Sequence, residues 1–289
     1  MSSHPRPQVI ETVAGMRDVV AHERAAGRSI ALTPTLGALH QGHLAHVERA
    51  AELADVRIVS IFVNPTQFGA DEDLDKYPRT MDADLDLLGE LGVPYVFAPS
   101  VEEMYPKGPS APTTTISAGQ IGAMFEGKSR AGHFDGVLTV VAKLLAITTP
   151  QFVTFGQKDA QQLFLVRRMI TDLNIPVQLE IIETVREEDG LALSSRNQFL
   201  DASQRHAAVI LSTALKAASS AADSGLDAVI AAAQGALMGE SGVELDYFTI
   251  VDTETFMPVP DGYRGPAIAL IAARVGDTRL IDNWTLYVG

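Results

Sequence analysis

Histidines, amides, glycines and a few cations stand at the ends of apolar runs in this chain, and their types suit phosphate chemistry. The run Ser29 to Pro34 leads directly into Pro34-Thr35-Leu36-Gly37-Ala38-Leu39-His40-Gln41-Gly42-His43. A run rich in β-branched residues, Val56 to Asn64, ends in Asn64-Pro65-Thr66-Gln67-Phe68-Gly69. Gln151 to Gly156 continues into Gln157-Lys158-Asp159, and Val177 to Val185 leads to Leu193-Ser194-Ser195-Arg196-Asn197. If His43 lies in the first turn of a helix, the backbone N–H groups and the dipole there favour a phosphate. Gly37 and Gly42 let backbone approach a nucleotide closely. His40 and His43 can donate to phosphate oxygens as charge builds. Lys158 suits a triphosphate and Asp159 a ribose, while Ser194, Ser195 and Arg196 suit departing phosphates. Gln67 and Gln162 can each donate and accept, which suits a hydroxy acid.

Each residue also has a plainer reading. An isolated His-x-x-His pair is most often a surface pair, and a zinc site lacks a third ligand nearby. Asp159 suits a helix N-cap, Lys158 a solvated charge, Ser194 a capped turn and either glutamine a surface position. Asp71-Glu72-Asp73 reads as a solvated charge run, and Asp82 and Asp84 as ordinary acids in a helix's first turn. Convergence favours the functional reading. In an open parallel sheet the carboxyl ends of the strands share one edge, and ligands bind there.

The elements that must supply that edge are readable. Five strands are expected at Ser29–Pro34, Val56–Asn64, Val93–Pro99, Gln151–Gly156 and Val177–Val185. Between them, helical spacing of leucine, valine and isoleucine marks Asp82–Leu91, Phe134–Ile147 and Gln161–Leu173. Strands alternating with helices give an α/β fold with a parallel sheet. The pattern then changes. Alanine-rich helices at Ser203–Ala222 and Leu226–Met238 precede strands at Glu244–Val251, Ala267–Val275 and Thr278–Val288. That order predicts a smaller α+β domain, dividing the chain into 1–184 and 185–289. Tyr105 to Thr115 reads as a loop.

Composition limits the partners. With 46% hydrophobic and 20% charged residues, the 289-residue chain can bury a sizeable core. A net charge of −14 opposes an extended nucleic-acid groove and an anionic membrane surface. No cysteine is present, which excludes thiolate sites and a cysteine nucleophile. The stretch Met1 to Gln8 is polar, and no apolar run approaches the roughly 20 residues of a membrane span. A cytoplasmic enzyme with no membrane or nucleic-acid partner is expected.

The blocks Pro34–His43, Ile61–Phe68, Tyr77–Thr80, Gly132–Val137, Phe155–Asp159 and Asp189–Asn197 are similar, in order, to those of the pantothenate synthetase (pantoate–β-alanine ligase) family. Gly276–Asn283 also fits. The resemblance implies a Rossmann-like nucleotidyltransferase domain, a smaller C-terminal domain that closes over the site, and a homodimer. It implies that pantoate and ATP form pantoyl-adenylate, which β-alanine converts to pantothenate and AMP, with Mg2+ on the phosphates. Carried over, Leu36, Gly37, Ala38, Leu39, His40, Gln41, Gly42 and His43 line the ATP site, with His43 as proton donor. Gly156, Gln157, Lys158, Asp159, Val185, Leu193, Ser194, Ser195 and Arg196 complete it. Gln67 and Gln162 hold pantoate. Asp84 is a candidate metal ligand, although Ala83 replaces an acid that some members carry. Leu36 stands where methionine is usual, Gln157 where glutamate is common and Ala160 where an aromatic is common. Arg130 and His133 lie in a matching block without an assigned role.

Three other classes share some of these features, and one of them, a nucleotide-binding regulatory module without catalysis, is opposed by the complete set of polar residues at the strand ends. An adenylyltransferase acting on a phosphate has no use for the two amides. An RNA-binding relic of a tRNA synthetase is opposed by the charge and the missing basic stripe.

Overall fold

Parallel strands buried on both faces require apolar runs, and this chain has enough of them for one sheet. The computed structural model describes residues 5–69, 74, 77–109 and 114–289. Its six-stranded sheet comprises β1 (Gln8–Ile10), β2 (Ile30–Thr35), β3 (Val56–Ile61), β4 (Tyr95–Phe97), β5 (Phe152–Gly156) and β6 (Gln178–Ile182). The order is β1-β4-β3-β2-β5-β6, with every pair parallel. The helices are α1 (Val13–Ala25), α2 (Gln41–Leu53), α3 (Met81–Glu90), α4 (Val101–Met104), α5 (Glu126–Ser129), α6 (His133–Thr148) and α7 (Ala160–Asp172). The chain leaves β2 on one side for β3 and β4, then returns to its other side for β5 and β6. The carboxyl ends of β2 and β5 therefore flank a topological switch point, where such sheets bind ligands.

Helix α6 is buried on nearly all faces, from His133 and Phe134 through Val137, Val141, Leu144 and Leu145 to Thr148. A helix apolar all round belongs inside a core, and α6 packs in one cluster with Leu32, Ile58, Phe97 and Val153 of the sheet. The expected helices Asp82–Leu91, Phe134–Ile147 and Gln161–Leu173 occur as α3, α6 and α7, with small shifts at their ends. Strand β1 and helix α1 escaped the sequence analysis; β1 has three residues, too few for a period-2 pattern to register. Residues 71–73, the Asp-Glu-Asp run, and 110–113 of the expected loop lie outside the described residues.

Two buried polar side chains build the turns at the switch edge. The first is Asp84, which is 2% exposed. Its Oδ2 accepts from Ala38 N at 3.0 Å and its Oδ1 from Leu39 N at 2.9 Å. Thr80 Oγ1 donates to the same carboxylate at 3.2 Å. This corrects the reading of Asp84 as an ordinary first-turn acid. Only Asp82 is that, exposed and paired with Arg6 at 3.0 Å. The turn that Asp84 holds is strained, with Gly37 at φ +85° and Ala38 at φ +52°. A Cβ on Gly37 would lie 3.2 Å from Asp84 Oδ2.

The second is Asn64, at 0% exposure. Its Oδ1 accepts from Tyr105 OH at 2.9 Å and Thr66 Oγ1 at 3.0 Å. Its Nδ2 donates to Gln67 Oε1 and to Gly136 O, each at 3.2 Å. Burial pushes the Tyr105 hydroxyl above its ordinary pKa, against the opposing effect of Thr66, so it remains a donor. Gly136 lets α6 approach this turn: a Cβ there would meet Thr66 O at 2.2 Å.

By its contacts the chain forms two units, Met1–Gly156 with Gln162–Ile182, and Gln157–Gln161 with Glu183–Gly289. The second contains α8 (Ala202–Ala208), α9 (Ile210–Ser220), α10 (Leu226–Leu237) and an antiparallel sheet of β7 (Glu244–Asp252), β8 (Gly265–Val275) and β9 (Thr278–Val288), with β8 central. Leu211, Ala214, Leu215 and Ala218 form the buried stripe of α9, in one core with Ala269, Ile271 and Ala273 of β8. The α+β expectation holds, and the single helix expected over Ser203–Ala222 becomes α8 and α9. The break falls at Val209, whose N–H bonds His206 O at 3.3 Å, three residues back, tightening the turn.

Asp84→Asn replaces one of the two acceptor oxygens with an NH2 donor facing a backbone N–H and is expected to cost about 1–3 kcal/mol of stability. Urea unfolding checks this, and an unchanged midpoint would refute the anchoring role. Gly136→Ala forces a Cβ onto Thr66 O and is expected to cost about 1–3 kcal/mol by overpacking. The same titration, together with loss of protection at the Gln67 amide in hydrogen exchange, reports it.

Candidate active site

Within the first unit, His40 and His43 cap the helix that they begin. His40 is the N-cap of α2, and its Nδ1 accepts from Gly42 N at 3.2 Å. His43 Nδ1 in turn accepts from His40 N at 3.3 Å. The expected strand-to-helix turn is present, with His43 in the first turn. Since both Nδ1 atoms are acceptors, each neutral ring carries its proton on Nε2. The rings lie 4.1 Å apart. They stand beside the N-terminal N–H groups of α2, where anions are favoured. Gly156 ends β5, and a Cβ there would lie 3.2 Å from His46 Nε2. His46, on α2, brings a third imidazole to the switch edge that the sequence analysis did not single out.

Gln67 lies in the turn after β3, 8% exposed, with its side chain held by Asn64. Its carbonyl accepts from His133 Nδ1 at 2.7 Å. Because Nδ1 faces an acceptor, it carries the proton, and Nε2 accepts from Arg130 Nη1 at 2.9 Å. Arg130 and His133 thus fix the backbone of Gln67. Gln162 is half-buried in the first turn of α7.

Within the second unit, Val185 and Leu193 are joined by Leu193 N donating to Val185 O at 2.9 Å. Arg186, next to Val185, makes a bidentate pair with Asp282 at 2.7 and 2.9 Å. Its guanidinium lies 5.0 Å from the centre of the Trp284 ring and also donates to Gly190 O at 3.2 Å. The loop from Val185 to Arg196 is therefore tied to β9. Ser194 caps the short turn that follows, accepting from Arg196 N at 3.3 Å. A small pocket is lined by Lys158, Ser194, Arg196 and Arg279 over Leu191 and Leu280. Arg279 is braced by Asp246 at 2.7 Å. Lys158 lies 3.7 Å from the Asp159 carboxylate, and Asp159 directly precedes α7. Three cationic side chains, Lys158, Arg196 and Arg279, thus line one pocket together with Asp282, in a chain with net charge −14.

The donor set does not form a protein cage for a divalent ion. Both Asp84 oxygens are occupied by backbone donors. Among the described residues no group of three or more histidines or acids gathers to hold a metal. Asp84 is therefore better described as the anchor of the Gly37–Leu39 turn than as a metal ligand. Asn64, Arg186, Arg279 and Asn283 are not among the site residues expected from the sequence. Position inside a matching block could have flagged Asn64, Arg279 and Asn283, whereas Arg186 lies outside every block and its partner Asp282 is remote in sequence.

Among the described residues no helix is long and apolar enough to cross a membrane. Residues 8–285 match the family model described as pantoate-beta-alanine ligase. A pantothenate synthetase of Leifsonia xyli is 56% identical over 90% of this chain and 89% of its own length. One from Nocardia farcinica is 52% identical over 100% of this chain and 87% of its length. The crystal structure of pantothenate synthetase from Thermus thermophilus superposes with a TM-score of 0.88 at 44% identity, covering 96% of this chain and 98% of that one. The ligase from Francisella tularensis, complexed with beta-gamma ATP and beta-alanine, gives 0.78 at 32% identity, covering 96% and 97%. With its nucleotide-type switch edge, its cationic pocket and these matches along its length, the chain belongs to the pantoate–beta-alanine ligase family.

Proposed function

We propose that this protein condenses pantoate with β-alanine, using ATP and releasing AMP and pyrophosphate, through a pantoyl-adenylate. The observation that carries this reading is the family match over residues 8–285. The Francisella relative with bound beta-gamma ATP and beta-alanine supports it. In the first step a pantoate carboxylate oxygen attacks the α-phosphorus of ATP, and the bond to the β-phosphate oxygen breaks. In the second, the β-alanine nitrogen attacks the acyl carbon. The acyl–oxygen bond to AMP breaks, and the amine gives up a proton.

Each group in the reading has one task. Gln67, braced by Asn64, Arg130 and His133, and Gln162 bind pantoate and set the angle of its carboxylate. Leu36 to Gln41 and Gly156 line the nucleotide, with Asp159 on the ribose. His43, assisted by His40, offers Nε2–H to the α-phosphate oxygens as charge builds on them. Lys158, Ser194, Ser195 and Arg196 neutralise the departing pyrophosphate, with Val185 and Leu193 against the nucleotide. Two anions must be brought together, so positioning and cationic stabilisation supply most of the rate. Mg2+, if bound, would offset triphosphate charge, and among the described residues no cluster of acids or histidines would hold it.

The test is a product assay with ATP, Mg2+, pantoate and β-alanine. AMP, pyrophosphate and pantothenate are expected in equal amounts, with pyrophosphate alone released slowly when β-alanine is left out. AMP absent from every mixture would overturn the reading. His43→Ala is expected to lower kcat about 10²- to 10⁴-fold with little change in the KM for pantoate. Steady-state kinetics in each substrate check this, and a change confined to KM would remove His43 from the chemistry.

A further inference from the structure

We infer that Asn283 is a positioning residue for Lys158. The inference rests on the reading of Lys158 as a phosphate ligand. Lys158 lies two residues beyond the end of β5, yet Gln157–Gln161 belongs by its contacts to the second unit. Strand β9 accounts for that. Asn283 Nδ2 donates to Gln157 O at 2.9 Å and to Lys158 O at 2.8 Å. Two residues on, and so on the same face of the strand, Thr285 Oγ1 accepts from Gln157 Nε2 at 2.8 Å. The lysine's own backbone is thereby held against the strand that also carries Arg279 of the cationic pocket.

Asn283 is a poor choice if packing were its only task. It is 3% exposed, and its Oδ1 has no hydrogen-bond partner. A buried acceptor left unmade is a cost that an apolar side chain of similar size avoids, and asparagine is disfavoured in strands. Both of its N–H groups go to the segment that carries the lysine. The neighbouring residue keeps the amide in place: Asp282 accepts from Asn283 N at 2.8 Å while held by the bidentate Arg186. The charged pair fixes the strand, and the asparagine transmits that position to Lys158.

A double-mutant cycle tests the inference on the full chain. Asn283→Leu keeps the volume and removes the grip, and Asn283→Asp keeps the shape but cannot donate. The Leu variant is expected to unfold at an unchanged or higher urea midpoint. Each should lower kcat for pantoate-dependent pyrophosphate release about 10²-fold, the scale of a displaced catalytic group, with the KM for pantoate unchanged. In a Lys158→Ala background the same substitutions should add less than about 3-fold, because the residue they position is gone. Undiminished activity in Asn283→Leu would overturn the inference, as would a full additional loss in the Lys158→Ala background. Lys158→Ala retaining wild-type activity would overturn the phosphate role itself, and the positioning role with it. If Asn283→Leu fails to fold, Asn283→Asp and Thr285→Val carry the same cycle.

Discussion

The buried carboxylate of Asp84 is the contact on which the switch edge of the first unit depends. It satisfies two consecutive backbone N–H groups in a turn whose residues, Gly37 and Ala38, both have positive φ. Left-handed backbone at an alanine is unfavourable and persists only when its surroundings hold it. Leu39 leads straight into His40, so this turn determines where α2 begins. The beginning of α2 determines where His40 and His43 stand and which ring nitrogen of each accepts. One carboxylate thus sets the geometry of the imidazoles from across the sheet edge.

The second unit solves a similar problem with an ion pair. Arg186 and Asp282 are largely buried, at 17% and 3% side-chain exposure. Such a pair contributes little net stability, because desolvation offsets the Coulombic attraction. It does contribute direction, since the bidentate geometry permits few orientations. Around it lie Gly190 O, the Trp284 ring and Asn283, so loop and strand share one reference point. The same device recurs at Arg279 with Asp246 and at Arg205 with Glu187. An acidic protein can hold a cationic pocket because its acids orient the cations.

The different supports of the two sets of groups fit the tasks proposed for them. The roles proposed for His40, His43 and Gln67 need aimed donors, and these residues are fixed through backbone and amide contacts. The role proposed for Lys158 and Arg196 needs charge within reach of a departing polyanion, and both stand on short connecting segments whose backbones are held. The chemistry of anhydride formation requires both kinds of support.

Periodicity and composition were enough to read the α/β class, the parallel strands from β2 to β6, and the change to an α+β pattern. Long apolar stretches such as α6 or β3 have few alternatives in water. The blocks around His43, Gln67, Lys158 and Arg196 were legible because glycine, proline and polar residues interrupt apolar runs at fixed places. What could not be read was every contact between remote positions. Asp84 reaches Ala38 and Leu39, Asn283 reaches Lys158, and His133 reaches the Gln67 carbonyl. Asp84 looked like a first-turn acid because local spacing determines which face of a helix a residue occupies, but not what lies opposite. Only packing the sheet brings that partner in, and a buried carboxylate or amide then takes whichever backbone groups would otherwise remain unbonded.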